Sequence, residues 1–301
     1  MLSNTGIQKS ESLRIIKIRA ALVYIASMGI FFVPFDWSLV WLTLLTFSFR
    51  TFGWEAGHHR YFSHRSFKTS RAFQLILACL GASSGHKGPI WWATLHRAHH
   101  KHADMPLDPH SPVQKGRMYA YIGWVLDSAN ADTDLDAAKD LSKFPELVWV
   151  NKYHYLFPYI LLIGVFSIGQ FSDILGPKVN GFSAVIWAFF FSTFLSLQGG
   201  FFVNVFTHGP IPKFIGYRTF ETRDTTSNNW LLCLLSFGAS WHNNHHRYMN
   251  SARAGFYWWE LDMTYLVLRV LSFFHIVWDL HEVPAAVLLE GKSGAMTIVN
   301  K

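Results

Sequence analysis

Residues 179–212 run without a single Lys, Arg, Asp or Glu, and so do residues 153–172. A helix this apolar must bury every face in protein or in lipid, and a bilayer-crossing helix needs about 20 such residues. Two shorter uncharged runs, 20–35 and 37–49, are split by Asp36. They reach spanning length once Lys17, Arg19 and Arg50 extend their stems along the apolar layer. Each pair reads as a hairpin, turning at Pro34–Asp36 and at Asp173–Asn180. Basic residues gather at the open ends: Arg14, Lys17 and Arg19, then Arg60, Arg65 and Lys68, then Lys213, Arg218 and Arg223. The positive-inside tendency turns those ends toward the cytoplasm.

Charged residues make up 15% of the chain and hydrophobic ones 50%, against roughly 25% charged in an ordinary soluble domain. The formal charge of +7 comes from dispersed residues rather than a long basic run. It suits a cytoplasmic membrane face better than nucleic-acid binding. Cys79 and Cys233 lie in apolar runs and form neither a disulfide framework nor a thiolate metal motif. The polar, then basic, N-terminus leads into a run read as an uncleaved span, not a secretory signal.

The expected fold is therefore an all-α integral membrane protein, a single domain over residues 1–301. Four transmembrane helices, at about 15–34, 37–54, 153–172 and 182–206, form two hairpins, with both termini in the cytoplasm. Two further apolar runs, 72–86 and 226–241, are expected as surface helices under a cytoplasmic helical cap. The acidic stretch 127–146, with Asp132, Asp134, Asp136 and Asp140, is expected as a solvated loop and helix of that cap.

The histidines set this topology. They cluster as HRYFSH (His59, His64), HRAHH (His96, His99, His100), NVFTH (Asn204, His208) and HNNHH (His242, His245, His246). Two hairpins put every cluster on one side of the membrane, whereas another crossing would strand one of them. On a helix, positions i, i+3 and i+4 share a face. HRAHH and HNNHH each aim three rings into one volume, the Asn204/His208 pair points there from the last span, and His59 and His64 straddle a helix end. A lone histidine is ordinarily a packed or surface residue, but this array at the ends of spans points to metal. Nine imidazoles exceed the four positions of a structural zinc site. Imidazole suits zinc, copper, iron and nickel, and the paired, carboxylate-rich ExxH motifs of helical di-iron bundles are absent. Two irons fit best, with Asn204 reaching one through water, and a site at the mouth of a membrane bundle favours a lipid substrate.

At these residues the chain resembles the membrane-bound fatty acid desaturases, closest to the Δ9, stearoyl-CoA-type branch in its bacterial form. The phrases GHHRYFSHRSFKTSR, KGPIWWATLHRAHHKHAD, DPHSPV, DLSKFPELVW, GYRTFETRDTTSNNWL and WHNNHHRYMNSARAGFYWWELD carry the likeness, which runs from about residue 35 to 280. The resemblance implies a di-iron centre on His59, His64, His96, His99, His100, His208, His242, His245 and His246. It also implies an acyl tunnel, and an O2-dependent reaction that leaves a cis double bond. Trp91, Trp92, Trp241 and phenylalanines of the last span are candidate tunnel walls. His58 and His86 depart from the family pattern and read as supporting residues. His110 sits in a phrase that supplies no ligand, and Ala239 stands where the family often has Glu. WWATLHRAHH lacks the Arg-Asp pair that helps animal enzymes bind coenzyme A, so the acyl carrier is open among CoA, lipid and acyl-carrier protein. No cytochrome domain is fused, so electrons are expected from a separate partner, a ferredoxin or small cytochrome. The resemblance places the enzyme in a bacterial inner membrane with its site facing the cytoplasm. A di-iron lipid hydroxylase and a histidine-rich metal transporter or store are the competing functions.

Overall fold

The computed structural model describes residues 6–299, so the chain's outermost residues, on which the expected placement of both termini falls, lie outside the described residues. The described chain is mostly helical. Helix α1 (Leu13–Ser27) tightens into a 3-10 turn at Met28–Phe31. Helix α2 (Trp37–Phe52) starts on Asp36, whose side chain accepts from the Ser38 amide, and runs on as a π-helix over Gly53–Ser63. Then come α3 (Arg71–Ser83), α4 (Pro89–His102), α5 (Pro145–Lys152), α6 (Leu156–Phe171) and α7 (Gly181–Phe206). The short α8 (His242–Arg247), then α9 (Met263–Phe273) and α10 (Ala285–Val299), complete the larger elements. Three two-residue antiparallel pairings clip loops together, joining Ile7–Gln8 to Thr133–Asp134, Lys68–Thr69 to Val277–Trp278, and Gly216–Tyr217 to Asn228–Asn229.

Helix α2 shows why the chain suits a bilayer. Leu39, Leu42, Thr43, Thr46, Phe47 and Arg50 recur at helical spacing and are buried, yet the opposite face carries exposed Trp41, Leu44, Leu45 and Phe49. A soluble helix would place charge on that outer face. The inner face is pinned to α7 by hydrogen bonds: Thr46 Oγ1 donates to the Ala188 carbonyl at 2.8 Å, and the buried Arg50 guanidinium donates to Ser192 Oγ at 2.7 Å. Helices α6 and α7 meet where Gly169 has no side chain, since a Cβ there would lie 2.6 Å from that of Ala184.

Taken alone, α7 is the one described helix long and apolar enough to cross a membrane. Helices α5 and α6 reach that length only together, across a 71° bend. The expected third span starting at residue 153 thus begins as a turn, and its helix starts at Leu156. The 72–86 run is helical as far as Ser83, with Leu77, Ala78, Gly81 and Ala82 buried against the π-helix and Ile76 exposed. The 226–241 run is not a helix, which corrects the expectation from its apolarity. It comprises the Asn228–Asn229 strand, a 3-10 turn at Trp230–Leu232 and further turns. Phe237 and Gly238 have φ of 53° and 101°, and at Gly238 the Asp262 carboxylate would lie 2.7 Å from any Cβ. Left-handed backbone stops a helix here. The acidic stretch 127–146 is also more than solvated loop. Asp140 pairs with Arg97 and Arg65.

Candidate metal centre

Four chain segments deliver the clustered rings to one interior volume. The π-helix carries His59, and His64 follows directly after its end. A π-turn advances by about five residues through its hydrogen bonds, so two rings five apart reach the same side. Helix α4 contributes His96, His99 and His100, α8 contributes His242, His245 and His246, and His208 sits just past the end of α7.

They divide into two groups. His59, His64, His96, His100 and His245 bring their ligand nitrogens within 4.8 Å of one another, and so do His99, His208, His242 and His246. In the first group the Nε2 atoms of His64 and His96 are 2.8 Å apart, and those of His59 and His245 are 2.9 Å apart. In the second, His208 and His242 approach at 3.1 Å and His99 and His246 at 3.3 Å. The groups adjoin through His100 and His246, with ring centroids 4.3 Å apart.

The outer nitrogens decide what these contacts mean. His59 Nδ1 donates to Glu55 at 2.7 Å, His99 Nδ1 to Asp108 at 3.0 Å, His208 Nδ1 to Asp104 at 3.2 Å and His246 Nδ1 to Asp224 at 2.7 Å. A carboxylate acceptor fixes the proton on Nδ1 and leaves the lone pair on Nε2. His99 and His246 therefore face each other lone pair to lone pair at 3.3 Å, which is no hydrogen bond and repels unless a cation lies between them. Burial, reinforced by the neighbouring rings, also pushes His64, His96, His100, His242, His245 and His246 well below the ordinary histidine range. Neutral imidazole is the form that binds metal. Burial alone would raise the Asp104 and Asp108 carboxyls. The bonds from His208 and His99 outweigh it and hold both well below the usual carboxylate range. Two adjacent cations with nitrogen-preferring coordination, such as iron, fit this donor set.

The residues between the histidines hold the boxes in place. In HNNHH, Asn243 Oδ1 accepts from the amides of Thr219 and Phe220, both at 2.8 Å, while Asn244 donates to Glu260 at 2.8 Å. In HRAHH, Arg97 donates to the carbonyls of Phe62 and Ser63 at 2.7 and 3.0 Å and pairs with Asp140 at 2.9 Å. Beside His59, Arg60 is fully buried between Glu55, 2.9 Å away, and Asp262, 3.0 Å away.

Asn204 and Trp92 border the pocket beside the rings, together with Trp54, Gly200, Val203 and Ala239. The Asn204 amide donates to the Ala120 carbonyl at 3.4 Å. Trp91 and Trp241 do not border that pocket. Trp91 donates to the Asn130 carbonyl and stacks on Trp124, and Trp241 donates to the Leu261 carbonyl. Of the two supporting histidines, His58 donates to the Lys87 carbonyl at 3.2 Å, and His86 contacts Ser84 Oγ and stacks on Trp54. His110 stacks on His99 with centroids 4.2 Å apart and joins it and Asp108 in a third group. Buried His242 Nδ1 has no hydrogen-bond partner among the described residues, and Ala239, three residues earlier, offers none. Sequence reasoning missed Glu55, Asp104, Asp108 and Asp224. Glu55 alone was findable, four residues before His59 on the same helix, while the aspartates reach their rings through loop geometry.

The fatty acid desaturase family profile matches residues 35–276. The chain is 35% identical to an sn-1 stearoyl-lipid 9-desaturase of Anabaena variabilis, over 80% of this chain and 84% of that one. It is 34% identical to an sn-2 palmitoyl-lipid 9-desaturase of Nostoc sp., over 79% and 80%. It is 30% identical to an acyl-CoA 5-desaturase of Anemone leveillei, over 84% and 74%.

Proposed function

This chain belongs to the fatty acid desaturase family and is a fatty acyl desaturase, an oxidoreductase that introduces a double bond into an acyl chain, and we propose a finer reading in which the bond is cis and at Δ9. The names of the relatives favour this over the hydroxylase and metal-transport alternatives. The observation that carries the reading is the pair of buried histidine groups with lone pairs turned inward.

In this reading His59, His64, His96, His100 and His245 hold one iron, and His99, His208, His242 and His246 the other, with Asn204 reaching one through water. An unactivated methylene offers no charge and no leaving group, so acid–base chemistry has no purchase on it. When bound, two irons supply the redox chemistry by which O2, two electrons and two protons take two hydrogens from adjacent carbons and yield an alkene and two waters. The chain's own residues do the rest. Carboxylate-backed rings stay in one tautomer and orientation, Trp54 and Trp92 wall the reacting carbons, and burial excludes water.

The proposed topology has four spans, formed by α1 with its 3-10 turn, α2, α6 and α7, and a cytoplasmic site in a bacterial inner membrane. The exposed apolar faces of α2 and α6 support it, as does the arrival of α2 and α7 at the same metal centre. Electrons come from a separate donor, an acidic ferredoxin or small cytochrome drawn to the basic face. Turnover then falls steeply as salt is added, and salt-independent transfer would count against that donor. The test of function is expression in a host lacking its own desaturase, with fatty acids read by mass spectrometry. New Δ9 cis-monoenes are the expected result; hydroxy acids would overturn it.

A further inference from the structure

The two histidine groups sit in different electrostatic surroundings. Asp104, Asp108 and Asp224 stand behind the group of four, and no lysine or arginine pairs with any of these carboxylates among the described residues. Their other hydrogen-bond donors are hydroxyls and amides. Asp104 accepts from Ser111 Oγ at 3.0 Å and the Thr225 amide at 2.8 Å, Asp108 from the amides of Asp104 and His110 at 2.9 and 3.0 Å, and Asp224 from Thr222 Oγ1 at 2.7 Å. Arg223 adjoins Asp224 in sequence, but its guanidinium donates to the His100 and Lys101 carbonyls at 2.6 and 2.7 Å. Asp108 and Asp224 are buried, so water screens their charge little.

The group of five is arranged otherwise. Its backing carboxylate, Glu55, is paired with Arg60 at 2.9 Å, and Arg60 also meets Asp262 at 3.0 Å. Arg97 lies against the turn that carries His64, donating to the Ser63 carbonyl at 3.0 Å, and pairs with Asp140 at 2.9 Å. Both guanidiniums act on His64 as positive charges. Carboxylates and guanidiniums thus offset one another around the five rings, while three carboxylates stand without a cation around the four.

Negative charge near a metal position attracts a trivalent ion more than a divalent one. A carboxylate behind a ring also makes that ring a more basic ligand, which favours the higher charge again. Both effects lower the reduction potential of a metal in the group of four.

We propose that the two metal positions are reduced in a fixed order. The first electron settles on the iron held by His59, His64, His96, His100 and His245, and the iron held by His99, His208, His242 and His246 is reduced second. Asp104, Asp108 and Asp224 set this order through the rings they back and are positioning residues. Each step moves one electron from the separate donor to one ferric ion, and no bond in the chain forms or breaks. A half-reduced chain then keeps its electron at one defined place until the donor returns. The proposal rests on the desaturase reading for the identity of the metal.

The test uses the full chain in neutral detergent, loaded with isotopically enriched iron, in a potentiometric titration followed by Mössbauer spectroscopy. Two one-electron steps are expected, with one ferric and one ferrous signal between them. Asp108→Asn and Asp224→Asn, read with iron in excess, raise the lower step by at least about 59 mV, a tenfold change in a one-electron equilibrium, and leave the upper step in place. Glu55→Gln raises the upper step instead. Iron content and melting temperature report loading and folding in each variant. A lower step that stays put in both aspartate variants overturns the proposal, and so does a shift confined to the upper step. These potentials are read without turnover. A chain that shows the order but makes no double bond therefore overturns the desaturase reading and leaves the proposal standing.

Discussion

The two histidine groups differ in what stands behind them. In the group of His99, His208, His242 and His246, three rings are backed by aspartates, namely Asp108, Asp104 and Asp224. In the group of five, Glu55 behind His59 is the one backing carboxylate seen among the described residues, and its charge is shared with Arg60. One group thus has more rings, the other more negative charge around them. Two unit charges about 6 Å apart at an effective dielectric of 20 interact by roughly 3 kcal/mol, so for a cation bound in the group of four the aspartates would supply attraction that the group of five lacks. Ring count alone is then a poor guide to how tightly each group would hold a cation.

Removing one ring from each group tests their independence and should have the largest effect. His99→Ala and His96→Ala should each abolish desaturation while leaving membrane insertion intact. If the groups bind separately, iron measured by mass spectrometry falls from about two to about one per chain in either variant. Zero iron in both would merge the groups into one cooperative unit, and retained activity in His99→Ala would remove that ring from the ligand set.

Changing the backing separates the groups by kind of damage. Asp108→Asn or Asp224→Asn should weaken iron retention about 10- to 100-fold in a chelator titration and lower thermal stability only modestly, by the loop bonds each carboxylate also accepts. Glu55→Gln should weaken retention too, but it also leaves the fully buried Arg60 with Asp262 as its one remaining carboxylate partner among the described residues. Breaking a buried pair costs about 3–5 kcal/mol, so melting should shift strongly in that variant alone. Equal melting shifts in all three would erase the distinction.

The same contrast explains what the sequence could reveal. The i, i+3, i+4 spacing of HRAHH and HNNHH fixes a shared helix face, so convergence of the rings was legible, as were helices near residues 15, 37 and 182. Asp104, Asp108 and Asp224 were not legible. Each lies outside the helices, and its position depends on loop contacts such as Asp104 with the Thr225 amide at 2.8 Å. Apolarity misled at 226–241, because left-handed backbone at Phe237 and Gly238 overrides hydrophobic patterning. Asp140 was hidden for the same reason as the loop aspartates. Its partners Arg65 and Arg97 lie far away in sequence, and nothing local marks the pairing.

Asp140 gives the smallest expected effect, and it falls on the group of five. Through Arg97 it ties α4, which carries His96 and His100, to the turn that carries His64. Burial pushes the Asp140 carboxyl up, but the Arg97 and Arg65 bonds outweigh it and hold it at about 2, below the 3.8 of a free aspartate. A depressed carboxyl contributes stability that is present above about pH 4 and lost as pH falls toward 2. Asp140→Asn should therefore lower stability by about 1 kcal/mol at neutral pH, since the pair is partly exposed. Melting curves of the two proteins should differ by a constant amount from pH 8 to about 5 and converge between pH 4 and 2. A gap that widens on acidification would show that the link between α4 and the His64 turn does not depend on this carboxylate.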